Sequence, residues 1–178
     1  MELTIDTAGD RIGLCLSSGG RVIAERLLAA ERAHTATLAP GIEDLLTGAG
    51  HTMADVKAVF VCTGPGGYTG LRAGVTAAKG LAIALDVPIV GVDRFRAEAR
   101  PFRGEPGRVV VVHHVVRREY AWQEMSNGEP VSPARAGSMA ELLVAAKDAA
   151  IVAGEIDDAL AEALGEKRGG RGEEARRR

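Results

Sequence analysis

Hydrophobic and polar positions alternate through most of the first thirty residues, which is the pattern of half-buried β-strands. Strands are predicted over Leu3–Asp6, Arg11–Ser17 and Arg21–Leu28. The last two are separated by Ser18-Gly19-Gly20, a typical hairpin connection. We therefore expect the chain to open with three strands that follow one another as a meander.

After the meander, apolar residues recur at the spacing of a helix. Apolar residues three or four apart predict a kinked helix over 34–49 that continues through Pro40; they are Leu38, Ile42, Leu45, Leu46 and Ala49. The apolar segment Ala58–Thr63 predicts a strand, and Leu71–Asp86 a second helix with its larger apolar residues on one face. Pro88–Val92 predicts a further strand, and a short helix is expected from Asp93.

This order of elements, β-β-β-α-β-α-β-α, is typical of ribonuclease-H-like folds, which include the actin-like ATPases. It predicts an α/β architecture with a mixed sheet flanked by helices. A break at Gly104–Gly107 is followed by a second series of strands and helices. We predict a first lobe over 1–103, a second, abbreviated lobe of the same type over 104–165, and a disordered basic tail over 166–178.

Charge is concentrated at the end of the chain. Residues 166–178 hold six basic and three acidic groups, a net of +3, so the other 165 residues carry −5 of the total of −2. Such a polar, charged segment is expected to be disordered and solvated. The mildly acidic body argues against autonomous nucleic-acid binding.

Two further features indicate a cytoplasmic protein without membrane contact. Cys15 and Cys62 lack CxxC spacing and are interpreted as small buried hydrophobes of a reducing compartment. The N-terminus has no basic region followed by an apolar stretch, and no run reaches about 18 uncharged apolar residues.

A glycine-rich run, Thr63–Arg72, stands between a predicted strand and a predicted helix. Free N–H groups at such a helix start favour an anion or a partner's acceptors, and Thr69 is the predicted N-cap. The run lacks the Gly-Lys-Ser/Thr ending of a P-loop and the G-x-G-x-x-G dinucleotide spacing. Two interpretations stay open. The run is a tight structural turn, or it contacts an anion or nucleotide through Gly66, Gly67, Tyr68, Thr69 and Gly70.

Four segments within residues 3–100 resemble the TsaB (YeaZ) family of threonylcarbamoyladenosine biosynthesis proteins. Gly64–Arg72 is similar to the family's signature Gly-Pro-Gly-Ser-Phe-Thr-Gly-Leu-Arg, with Gly67 and Tyr68 in place of Ser and Phe. The other similar segments are Leu3–Thr7, Glu31–Thr35 and Pro88–Val92. Beyond about residue 105 the match weakens. His114-Val115-Val116 stands where the family tends to carry Asp-Ala-Arg, and the second lobe is shorter.

The resemblance implies a subunit without catalytic activity of its own. It implies pairing with TsaD, which transfers the threonylcarbamoyl group to the tRNA adenosine beside the anticodon, and an assembly that TsaE joins. It also implies a homodimer when the chain is alone, tRNA contact only through the complex, and ATP used by the wider complex rather than bound by this chain.

The candidate chemical groups are consistent with that expectation. His34, His51, His113 and His114 include no His-x-x-x-His pair of the kind that holds a metal in catalytic relatives, so we predict no metal site. The Asp-x-Gly of actin-like ATPases is Asp6-Thr7-Ala8 here, so Asp6 is interpreted first as a turn-capping residue. No catalytic residue is predicted.

A binding surface is predicted instead, on the two helices of the first lobe. One stripe consists of small residues, Ala73, Ala77, Gly80 and Ala84, and another of the apolar residues Leu38, Ile42, Leu45 and Leu46. These stripes are expected to form a four-helix contact with TsaD or a second copy; alternatively, both face the chain's own sheet. The rival function is an actin-like ATPase or small-molecule kinase that uses the glycine-rich turn for phosphate.

Overall fold

Two separate sheets organise the chain. The computed structural model describes residues 1–29, 34–116 and 119–165 and divides into the units Met1–Asp93 and Arg94–Arg178. This division falls earlier in the chain than the predicted one at 103/104. Phe95, Ala99 and Phe102 account for the difference, because they are buried in a cluster with strand residues of the second unit.

The first unit contains a five-stranded mixed sheet in the order β3-β2-β1-β4-β5. Its elements are β1 (Glu2–Asp6), β2 (Arg11–Ser18), β3 (Arg21–Ala29), α1 (His34–Gly48), a 3₁₀ turn (Met53–Asp55), β4 (Ala58–Cys62), α2 (Tyr68–Leu85) and β5 (Ile89–Val92). Strands β1, β2 and β3 are antiparallel neighbours, whereas β4 runs parallel to β1 and β5. The predicted meander, the following alternation of helices and strands, and the fold class are confirmed.

The core of the first unit follows directly from the alternation in the sequence. Leu3 and Ile5 of β1 and Ile12 of β2 are fully buried, while the residues between them lie toward the other face of the sheet. Helix α1 continues through Pro40, as predicted, and packs its apolar face on this cluster.

The second unit contains a strand pattern similar to that of the first. Its elements are α3 (Arg94–Ala99), a 3₁₀ turn (Arg100–Phe102), β6 (Val109–Val116), β7 (Glu119–Ser126), β8 (Glu129–Pro130), β9 (Arg135–Gly137), α4 (Met139–Ala145), β10 (Ile151–Gly154) and α5 (Asp158–Leu164). Strand β6 pairs antiparallel with β7 and parallel with β10, as β1 does with β2 and β4. Strands β8 and β9 were not predicted, because two or three residues are too few to show a period.

Three further expectations can be placed on this fold. The predicted tail over 166–178 lies outside the described residues. Neither cysteine forms a disulfide; Cys62 is buried and Cys15 half-buried. Within the described ranges, no helix has the length and apolar character needed to cross a membrane.

Candidate partner-binding surface and glycine-rich turn

The glycine-rich turn packs against the loop between β1 and β2. The Gly67 N–H donates to the Ala8 carbonyl at 3.0 Å. A Cβ at Gly66 would lie 2.3 Å from the same oxygen, so only glycine permits this approach. Gly64 has a φ of +100°, a conformation that favours glycine. These contacts support the interpretation of the run as a structural turn.

The first turns of α2 are held by the same loop. Buried Thr7 donates from Oγ1 to the Gly70 carbonyl at 2.7 Å, and a Cβ at Gly74 would lie 2.1 Å from this Oγ1. The predicted N-cap at Thr69 is wrong. The helix begins at Tyr68, and Gly67 occupies the N-cap position without a side-chain hydrogen bond. Contact of the exposed Tyr68 and Thr69 with an anion stays a prediction.

The part of the predicted binding surface that lies on α1 requires correction. Leu38, Ile42, Leu45 and Leu46 are between 2% and 4% exposed and belong to the buried cluster of the first unit. They face the chain's own sheet because helical spacing identifies an apolar face without saying what covers it. The outward positions of α1 include the polar Glu43 and Asp44, and Asp44 forms an ion pair with Arg26 at 2.9 Å.

On α2, part of the predicted stripe is accessible. Gly80 and Ala84 are exposed, and a Cβ at Gly80 would meet no atom within 4 Å. Ala73 and Ala77 are half-buried, and Ala77 packs against the core. The sequence analysis missed Ile83, which is 81% exposed beside them. Ile83 lies off the helical face that the larger apolar residues share. This position in the helical pattern could have identified it as exposed from the sequence.

We use the term α2 surface for the outward stripe of this helix. It consists of Arg72, Thr76, Lys79, Gly80, Ile83 and Ala84. The helix contains no acidic residue, so its only charges are the two cations of this stripe. The surface therefore combines an exposed apolar residue, Ile83, with positive charge and with small side chains that permit close helix packing.

The second unit places several polar side chains at the carboxyl ends of β6 and β10. Glu155 accepts hydrogen bonds from the Arg94 guanidinium at 2.8 Å and from the His114 backbone N–H at 3.1 Å. Fully buried His113 lies 3.8 Å from Glu155 and beside the Phe95 ring. Burial by itself raises the pKa of Glu155, but the His113 and Arg94 side chains outweigh it and lower the pKa to about 2.

His114 points to the opposite face of β6, as the strand period predicts. Its Nε2 lies 3.1 Å from a carboxylate oxygen of Asp157, and the Tyr120 hydroxyl donates to the same oxygen at 3.1 Å. The Leu160 backbone N–H, with these two side chains, lowers the pKa of Asp157. Across the part of the chain that the structure describes, no three His, Cys, Asp or Glu side chains are grouped to hold a metal ion.

Comparison with known proteins points to the same family as the sequence motif in the glycine-rich turn. The family model described as TsaD: tRNA N6-adenosine threonylcarbamoyltransferase matches residues 28–112. The tRNA threonylcarbamoyladenosine biosynthesis protein TsaB of Escherichia coli is 33% identical over 129 residues, which are 71% of this chain and 55% of that protein. The chain is a homologue of TsaB/YeaZ proteins.

A solved structure supports the same relationship. YeaZ from Pseudomonas aeruginosa superimposes with a TM-score of 0.65 at 26% identity, covering 76% of this chain and 65% of that one. An uncharacterized protein of Mycobacterium tuberculosis is 37% identical over 135 residues, or 74% of this chain and 63% of that protein. The chain thus spans less than two thirds of the length of these relatives.

Proposed function

We propose that this chain takes part in the biosynthesis of threonylcarbamoyladenosine in tRNA, as a subunit without catalytic activity that pairs with TsaD. Its similarity to the TsaB of Escherichia coli carries the proposal. The turn supports a structural role, since the Gly67 N–H that a phosphate would need already donates to Ala8. Asp6 likewise accepts from the Ala8 N–H at 2.9 Å, which is a turn-stabilising contact.

The α2 surface is the proposed contact with TsaD. An isoleucine that is 81% exposed costs little in the isolated chain and contributes when a partner covers it. Gly80 and Ala84 beside it allow a partner helix to approach closely, and Arg72 and Lys79 favour an acidic edge on that partner. Alone, the chain pairs with a second copy through the same surface.

In this proposal the remaining parts of the reaction belong to other subunits. TsaE joins the assembly, ATP is used by the complex rather than bound by this chain alone, and tRNA is contacted only through the complex. The chain keeps TsaD active by holding it in a paired state.

A paired substitution tests the contact. Ile83→Glu places a charge at the exposed isoleucine of the α2 surface, whereas Val22→Glu places one on β3 at another exposed apolar residue, with 63% exposure. We expect Ile83→Glu to reduce TsaD retention on the immobilised chain at least about tenfold, since a buried unpaired charge opposes association. Val22→Glu should retain TsaD as the unchanged chain does.

Reconstitution tests the function itself. With TsaD, TsaE, ATP and tRNA present, adding the chain should raise the yield of modified adenosine, and Ile83→Glu should lower that gain. Equal retention by the two variants would contradict the contact. Hydrolysis of ATP by the isolated chain that disappears in Asp6→Asn would instead support the rival function of an ATPase or kinase.

A further inference from the structure

A cavity of about 430 Å³ opens on the second unit beside its tryptophan. Strand β9 and helix α4 form its walls, and the lining residues are Trp122, Arg135, Ala136, Glu141 and Val144. Strand β9 runs antiparallel to β7 and places Arg135 opposite Trp122 in the pairing register. The volume is in the range of sites for small molecules.

Two opposite charges flank this cavity. Glu141 Oε2 accepts two hydrogen bonds from Ser138. The backbone N–H donates one at 2.8 Å, and the hydroxyl donates the other at 2.7 Å. These bonds lower the pKa of Glu141, so the carboxylate is charged at neutral pH. Neither Glu141 nor Arg135 forms an ion pair within the described ranges. Both charges are therefore available to a ligand.

Apolar side chains line the same cavity. Val144 is 76% exposed, whereas Trp122, which also lines the cavity, is 4% exposed. Gly137 lies close to both the Glu141 carboxylate and the Trp122 ring. A Cβ there would lie 2.6 Å from Glu141 Oε2 and 3.2 Å from Trp122 Cη2. The buried Trp122 Nε1–H also has no acceptor among the described residues.

We propose that this cavity binds a small zwitterion, namely an α-amino acid with an aliphatic side chain. The ligand's ammonium group pairs with Glu141, its carboxylate pairs with Arg135, and its side chain lies against Val144 and Trp122. A simple anion would be opposed by Glu141 and a simple cation by Arg135, whereas a zwitterion satisfies both. This site lies outside the α2 surface and is independent of the proposed function.

The single tryptophan of the chain gives a direct readout. The full chain is titrated with L-leucine up to about 10 mM, a range that detects weak binding, while Trp122 fluorescence is recorded. We expect a saturable change with leucine. Leucinamide, which lacks the carboxylate, and N-acetyl-leucine, which lacks the ammonium, should each bind at least about tenfold more weakly.

Conservative variants locate the site. Arg135→Gln and Glu141→Gln remove one charge each, and glutamine at this position preserves the capping contacts with Ser138. Both should weaken leucine binding at least about tenfold, while Arg21→Gln in the first unit should bind as the unchanged chain does. Circular dichroism and thermal unfolding without ligand confirm that each variant is folded.

Three outcomes of these titrations count against leucine binding at this cavity. Absence of a saturable change, equal binding of N-acetyl-leucine or leucinamide, or unchanged binding by either charge variant would overturn the proposal. None of these results bears on TsaD retention, which depends on Ile83, so the two proposals fail separately.

Discussion

At the scale of single residues, two glycines of α2 provide a matched test of the fold around the turn. Gly74→Ala would force its Cβ to 2.1 Å from the Thr7 hydroxyl, which is buried and held by Gly70. We expect it to lower the free energy of unfolding by about 1–3 kcal/mol. The new Cβ of Gly80→Ala meets no atom within 4 Å, so this change should raise the free energy of unfolding by roughly 0.5–1 kcal/mol. Urea denaturation measures both, and a loss of similar size from the two changes would contradict the packing described.

Glu155 gives a prediction about pH. Its pKa is lowered from 4.5 to about 2 in the folded chain, so its stabilising contribution is present above the unfolded value and is lost as pH falls toward the folded one. Glu155→Gln should therefore be less stable than the unchanged chain at neutral pH, with a difference that shrinks between about pH 4.5 and 2. Denaturant titrations monitored through Trp122 at several pH values test this. The matched change Glu162→Gln, at an exposed position of α5, should show no such convergence.

At the scale of elements, the start of α4 is held by reciprocal hydrogen bonds. Ser138 accepts from the Glu141 N–H, and Glu141 accepts from the Ser138 backbone. Ser138→Ala should lower the free energy of unfolding by about 1 kcal/mol, whereas Ser138→Thr keeps a hydroxyl that both accepts and donates and should lose less. Chemical denaturation followed through Trp122, which packs in the same cluster as this helix, measures both changes. Equal losses would assign the effect to something other than capping.

The elements also mark where sequence patterns stop being informative. The period of α1 identified its apolar residues correctly, but the same residues fit either a core or a partner surface. The pattern could not decide between them, because periodicity carries no information about what packs on a face. In α2, Ile83 lies off the face that the larger apolar residues of this helix share. Only the packed structure reveals how far Ile83 is exposed.

At the scale of the whole molecule, the two units have separate buried clusters. The cluster that contains Val59 draws only on the first unit, and the one that contains Leu160 only on the second. Leu160→Ala, at a fully buried position, should cost about 2–5 kcal/mol and shift the Trp122 unfolding transition to lower denaturant. Val59→Ala should shift far-UV circular dichroism more than Trp122 fluorescence. Coincident shifts of both signals in both variants would show one cooperative unit instead.

The sequence by itself determined the strand meander, the strand–turn–helix that carries the glycine run, and the resemblance to TsaB, since local periods and short motifs encode these. Tertiary structure alone decided that Phe95 and Phe102 belong to the second unit and that the α1 stripe is internal. It also brought Arg135 and Glu141 to one cavity. These outcomes depend on how helices and strands pack on one another, which local patterns along the chain do not specify.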